Sequence, residues 1–139
     1  LAKSLGSGVP VGACLVSDEV SSKIKLNDLG TTFGGGMLAM AAVIATIEAI
    51  EQDGMISKAR NLEAHLRSSL ADIPGIKAVR GKGCLIGLEF DDPIASIHTK
   101  LLKNNIITGT SNDPKVMRLL PPLCVTTEEL DMLIEVLAN

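Results

Sequence analysis

The stretch from Met37 to Gln52 constrains this chain more than any other part of it. Read at helical spacing, it is apolar on nearly every face until Glu48 and Glu51. A helix of that kind has no side to offer to water, so it must be buried between layers, as helices between two domains often are. Its uninterrupted apolar run, Met37 to Ala45, is far shorter than the ~20 residues a bilayer crossing needs, and Thr46 and Glu48 interrupt it. The expectation is a buried interdomain helix, with no membrane span and no membrane partner. Asp53-Gly54 ends it, with Gly54 suited to the position just beyond a helix C-cap.

The segments on either side differ in character. Downstream, Ser57 to Ile73 carries the stripe Ala59, Leu62, Leu66 and Leu70 of an amphipathic helix, stopped by Pro74-Gly75. Ile76 to Val79 and Cys84 to Phe90 read as strands around a tight turn, Arg80-Gly81-Lys82-Gly83. Asp91-Asp92-Pro93 reads as a cap and first turn of a helix reaching about Lys103, where Asn104-Asn105 ends it. Ile106 to Thr108 and Lys115 to Leu119 read as short strands, and Pro121-Pro122 breaks the chain. Thr126-Thr127-Glu128-Glu129 is a capping box opening a last helix, whose buried face is Leu130, Leu133, Ile134 and Leu137. This alternation predicts a small α+β domain over residues 50–139. Upstream, Val9 to Val16 reads as a short apolar strand, Glu19 to Lys23 as a short helix, and Gly30 to Gly36 as a loop. Two strands' worth of chain and a loop cannot bury both their faces, so residues 1–49 are expected to be the end of a larger domain plus the interdomain helix.

Composition narrows the function. Of 139 residues 46% are hydrophobic, yet Phe33 and Phe90 are the only aromatics, so the core must be aliphatic. A flat cofactor would need its stacking partner from elsewhere. Thirteen basic residues against sixteen acidic give a net charge of -3 with no basic run, which argues against nucleic acid as a partner. Cys14, Cys84 and Cys124 are odd in number, far apart and without a CxxC spacing. They fit small buried hydrophobes in a reducing compartment rather than a disulfide framework or a metal site. With no recognisable signal peptide, a cytoplasmic location is expected.

Three places could carry chemistry. Lys3 lies in Leu1-Ala2-Lys3-Ser4-Leu5-Gly6-Ser7-Gly8, where glycines allow backbone and a ligand to approach the amine. On those residues alone it reads as a solvated loop lysine. Thr31 and Thr32, beside Gly34 to Gly36, could donate hydroxyl and N–H hydrogen bonds to a phosphate, or form an ordinary turn. Arg118, in Val116-Met117-Arg118-Leu119-Leu120-Pro121-Pro122, offers the planar fork that fits a carboxylate, or is a surface arginine at a strand end. His65, beside Leu62 and Leu66, and His98, among Ile94, Ile97 and Leu101, read as satisfied structural histidines. Arg80 and Lys82 read as a solvated turn, and Asp91 and Asp92 as a cap rather than an acid/base pair.

Taken together, these three segments, with Val11-Gly12-Ala13-Cys14-Leu15-Val16 and Val79-Arg80-Gly81-Lys82-Gly83-Cys84-Leu85-Ile86-Gly87, resemble the C-terminal part of the class III, ornithine-type, pyridoxal-phosphate aminotransferases. Within that family the similarity is to the acetylornithine subfamily, and it covers essentially the whole chain. The resemblance implies an α/β fold: the end of the large domain of a fold-type I transferase, a long interdomain helix and a small α+β C-terminal domain. It implies pyridoxal 5'-phosphate as cofactor, held by Lys3 as a Schiff base, with the freed lysine moving a proton between substrate and cofactor. Thr31 and Thr32 match the hydroxyl pair that binds the cofactor phosphate across the interface of a homodimer with shared active sites. Arg118 matches the arginine that holds the substrate α-carboxylate. The implied reaction moves an ω-amino group from a donor such as N-acetylornithine to 2-oxoglutarate in arginine biosynthesis; ornithine, succinylornithine or 4-aminobutyrate are alternative donors. No metal is implied.

The pattern departs from the family in two ways. Gly36-Met37 stands where the family has Asn-Pro, which removes a preset φ at the helix start. The family's longer N-terminal part, with the aspartate that pairs with the pyridine nitrogen and the aromatic that stacks on the ring, has no counterpart in these residues. The reading frame is therefore expected to continue upstream of Leu1, and these residues alone to be inactive. The competing reading is a non-catalytic folded fragment or interaction module.

Overall fold

A computed structural model describes residues 1–139, which divide into two compact units, Leu1–Asp53 and Gly54–Asn139. The division falls four residues beyond the expected 49/50 boundary. The helix runs unbroken to Gln52, and the turn comes only at Gly54, whose φ of +62 suits glycine.

The second unit is an antiparallel four-stranded sheet in the order β1-β2-β4-β3 with three helices. Its elements are α3 (Met55–Leu70), β1 (Ile76–Lys82), β2 (Leu85–Phe90), α4 (Ala95–Lys103), β3 (Gly109–Thr110), β4 (Val116–Leu119) and α5 (Thr127–Ala138). The predicted stripe of α3 is its buried face: Ala59, Leu62, Leu66 and Leu70 all lie below 9% exposure. Leu62, Leu66 and Leu70 share one core cluster with Ile86, Leu88, Phe90, Met117 and Leu119 from the sheet, Leu101 from α4, and Leu130 and Leu133 from α5. Each such side chain contributes about 1.5–3 kcal/mol of burial, so an aliphatic core with Phe90 as its one aromatic suffices. Burial alternates along β2 and β4. One sheet face is therefore packed by the helices, and the other carries Arg80, Glu89 and Arg118.

Several boundaries differ from the sequence reading, each for a local reason. The hairpin turn is only Gly83-Cys84, because Arg80, Gly81 and Lys82 all pair with β2. A Cβ at Gly81 would collide with the Leu85 carbonyl, so glycine permits that close pairing. Asp91 and Asp92 do not cap α4. The helix starts later, at Ala95, after Ile94 has donated its N–H to the Pro114 carbonyl (2.9 Å). The third strand forms at Gly109–Thr110, not Ile106 to Thr108, because those are the residues aligned with Arg118 and Met117. The capping box of α5 is complete: Glu129 N–H donates to Thr126 Oγ1 (3.2 Å) and Thr126 N–H to Glu129 Oε2 (2.9 Å).

A carboxylate clip ties α3 to the hairpin. Glu63, 8% exposed, accepts from Gly83 N–H (2.6 Å) and Arg67 Nε (3.0 Å), while Arg67 donates to the Val79 and Gly81 carbonyls (2.6 and 2.7 Å). The Gly83 N–H, then Arg67, hold the Glu63 carboxyl below its ordinary value. His65 Nε2 lies 2.7 Å from Asp131 Oδ1 and His98 Nε2 lies 3.2 Å from the Thr108 carbonyl, so both histidines have structural partners.

The first unit contains a 3-10 turn at Lys3–Gly6, α1 (Asp18–Ser21) and α2 (Met37–Gln52). Ser17 caps α1 by accepting from Val20 N–H. Val9 to Val16 forms no strand. Its one ladder-like contact is Ala13 with Leu1, and no second chain segment continues it, so Leu15 and Val16 stay exposed. The helix α2 has the predicted bounds, but none of its residues is buried in this chain; Met37 is 90% and Leu38 75% exposed. No helix is long and apolar enough to cross a membrane. Cys14 and Cys124 are exposed rather than buried, since each sits in a loop with nothing packed over it; only Cys84 is half-buried, and burial pushes its thiol up.

Candidate functional site

Lys3 opens the 3-10 turn with its side chain exposed and its backbone in the left-handed region at φ +61. A non-glycine residue there is uncommon, and Ser7 at φ +47 closes the same turn. The surrounding backbone holds this conformation. Ser7 N–H donates to the Ser4 carbonyl (3.0 Å), Val9 N–H to the Gly6 carbonyl (3.0 Å), and Leu1 and Ala13 exchange two bonds (2.6 and 2.9 Å). Gly6 is buried so tightly that an added Cβ would lie 2.7 Å from Val11 Cγ1. Gly6, three residues beyond the lysine, thus closes the loop and fixes the backbone from which the exposed Lys3 side chain projects.

Thr31 and Thr32 sit together on the exposed loop that leads into α2. A Cβ at Gly34 would collide with Thr31 Cγ2, so the missing side chain lets the threonine fold over the turn. Gly35 at φ +69 turns the chain, and Gly36 becomes the N-cap of α2 without any side-chain capping bond. Two hydroxyls and an uncapped helix N-terminus lie along one short segment, a neutral donor set of the kind that suits phosphate. That donor set could accept a phosphate group, and the exposed Lys3 amine could react with an aldehyde such as that of pyridoxal phosphate.

Arg118 belongs to the second unit. It lies on β4, on the open sheet face, between Met117 and Leu119 of the core. Its Nε donates to the Thr110 carbonyl at 2.6 Å, which leaves the two terminal nitrogens as a fork of the kind that can grip a carboxylate. A shallow depression beside it is lined by Thr110, Ser111 and Asn112. The sequence reading missed Thr110, because it placed the neighbouring strand at Ile106 to Thr108, just before the residues that pair; the signal available was Gly109, a side-chain-free position next to a hydroxyl residue. No cluster of three or more His, Cys, Asp or Glu residues is placed to hold a metal. Lys3, Thr31 and Thr32 thus share the first unit, and Arg118 stands in the second.

The chain is similar to known proteins along its whole length. The family model described as aminotransferase class-III matches residues 1–139. Acetylornithine aminotransferase 1 of Bordetella bronchiseptica is 41% identical over 141 residues, covering 99% of this chain and 36% of that enzyme. The acetylornithine aminotransferase of Bacillus subtilis is 41% identical over 133 residues, covering 94% and 34% respectively. Among solved structures, an ornithine aminotransferase from Plasmodium yoelii superposes with a TM-score of 0.83 at 32% identity, covering 99% of this chain and 39% of that one. The chain therefore spans roughly a third of the length of the curated relatives it matches, and its fold is that of the corresponding part of those α/β enzymes. It belongs to the class-III aminotransferase family.

Proposed function

We propose that these residues serve a pyridoxal 5'-phosphate-dependent transamination in which an ω-amino donor, N-acetylornithine, gives its amino group to 2-oxoglutarate, a step of arginine biosynthesis. The observation that carries the reading is the match of the entire chain to the family, with relatives at 41% identity named acetylornithine aminotransferase. When bound, the cofactor supplies an electron sink that acidifies the C–H bond beside the transferred amine.

The roles of the chain's own residues follow from their chemistry. The Lys3 amine anchors the cofactor covalently and, once displaced, holds and moves the proton at the carbon bearing the amine. Its fixed turn supports this double use, since the backbone stays still while the long side chain swings. Thr31 and Thr32 hold the cofactor phosphate, in a homodimer whose active sites share residues. Neutral donors suit that task because they bind the phosphate without adding a competing charge. Arg118 takes the substrate carboxylate and so fixes which C–H bond faces the base. Phe90 is locked in the core and Phe33, 89% exposed on the threonine loop, is the one other aromatic, so these residues bring little to stack on the ring and the longer polypeptide is taken to supply that partner. The unpaired, scattered cysteines favour the cytoplasm.

The donor is tested in a full-length polypeptide carrying these residues, assayed with N-acetylornithine, succinylornithine, ornithine and 4-aminobutyrate against 2-oxoglutarate. N-acetylornithine is expected to give the highest kcat/KM; a tenfold preference for ornithine would move the assignment to the activity named for the Plasmodium structure. Lys3→Ala is expected to abolish the visible absorption of the lysine-linked cofactor. Persistence of that band would remove Lys3 from its role.

A further inference from the structure

The structure assigns a positioning role to the two-residue strand β3: Gly109 and the Thr110 carbonyl aim the Arg118 guanidinium. The assignment rests on the reading of Arg118 as the carboxylate-binding residue and adds what sets its direction.

Arg118 has a glycine directly opposite it on each neighbouring strand, Gly87 on β2 and Gly109 on β3. Residues opposite one another in an antiparallel pair project to the same sheet face, so neither neighbour places a side chain beside the arginine. The two glycines are not equivalent. A Cβ at Gly87 would meet only Val116 Cγ1, at an ordinary 3.7 Å. A Cβ at Gly109 would lie 3.3 Å from the Arg118 carbonyl oxygen, 3.4 Å from its Cβ and 3.7 Å from Nε. Gly109 does not have a positive φ, unlike Gly81 or Gly83, so its backbone conformation does not call for glycine. What calls for glycine is space, and Arg118 uses that space.

Leaning over β3, the arginine donates Nε–H to the Thr110 carbonyl at 2.6 Å. That bond restrains the guanidinium through Nε and leaves its terminal nitrogens for another partner. The result is a preorganised fork: a lysine would carry the same charge but could not be tethered and grip a carboxylate with two parallel bonds at once. Ordering the fork beforehand lowers the entropy lost when the carboxylate arrives.

The probe is glutarate, a dicarboxylate with no reactive amine or carbonyl. Its Kd is measured by calorimetry in the full-length polypeptide, with thermal midpoints recorded alongside. Arg118→Gln is expected to weaken glutarate about thirtyfold. Gly109→Ala is expected to weaken it about tenfold with the thermal midpoint little changed, and Gly87→Ala to stay within about twofold of wild type. Added to Arg118→Gln, Gly109→Ala is expected to cost nothing further, since the residue it positions is gone. Arg118→Lys should bind like Arg118→Gln. This last variant tests the tether even if Gly109→Ala does not fold. Wild-type affinity in Gly109→Ala or Arg118→Lys, or a further loss in the double variant, would overturn the positioning role while leaving Arg118 a ligand. Wild-type affinity in Arg118→Gln would instead overturn the reading of Arg118 itself.

Discussion

Two helices of sixteen residues each, α2 and α3, present leucines in opposite circumstances, and one substitution made in both tests how the chain is built. Leu66 on α3 is 1% exposed, while Leu38 on α2 is 75% exposed. Leu66→Ala removes a fully buried side chain and leaves a cavity in the core cluster, for which about 2–5 kcal/mol is the usual cost. Leu38→Ala puts only a quarter of a leucine's burial at stake, about 0.5 kcal/mol, and alanine's better helix propensity offsets part of that. In urea unfolding of the 139-residue chain, Leu66→Ala should lower the midpoint by on the order of 1–2 M at unchanged slope, and Leu38→Ala should barely move it. The contrast should disappear in a full-length polypeptide carrying these residues. There an apolar helix with no polar face finds cover, and Leu38→Ala should cost about 2 kcal/mol or more. If Leu38→Ala stayed neutral there, the inference from all-round apolarity to a covered helix would fail. A neutral Leu66→Ala in the 139-residue chain would refute the assigned core.

Two further outcomes follow from the second unit. The Glu63 carboxyl is held below its ordinary value by the Gly83 N–H and Arg67. Its stabilising effect is therefore full above the unfolded carboxylate range, near pH 4.3, and is lost as pH falls through its depressed folded value. Urea midpoints followed from neutral to acid pH should show wild type losing its advantage over Glu63→Gln in that window; a gap independent of pH would sink the assignment. Thr126→Ala breaks the capping box of α5 and should cost about 1 kcal/mol, measured by thermal unfolding, whereas Thr127→Ala should be near neutral.

What was legible in the sequence was whatever depends on neighbours along the chain. The stripe on α3, the bounds of α2 and the box at Thr126 and Glu129 are set by periodicity and by bonds three or four residues apart. The misplaced features depend on partners far away in sequence. β3 forms at Gly109–Thr110 because Arg118 and Met117 align there, and Ile94 starts α4 because Pro114 accepts its N–H. The strand read at Val9 to Val16 has the right composition, but only Leu1 offers it a partner. The site divides in the same way. The residue types at Lys3, Thr31, Thr32 and Arg118 could be read from motifs, whereas the left-handed backbone of Lys3 and the tether on Arg118 come from tertiary pairing.

The division between the units also bears on where precision resides. Arg118 stands on a strand flanked by two others, above a core of thirteen buried residues. A carboxylate clamp there inherits the rigidity of the sheet, which is what orienting a C–H bond demands. Lys3 and the threonine loop lie in a unit whose long helix buries no residue, and the turn at Lys3 is held by its own turn bonds and by the paired Leu1 and Ala13. An amine that must serve first as anchor and then as proton carrier gains from a mobile side chain on a backbone held at one point, and the positive φ at Lys3 is a conformation that needs such holding. On the proposed roles, the carboxylate grip thus rests on a packed sheet, while the lysine works from a backbone point held by local bonds.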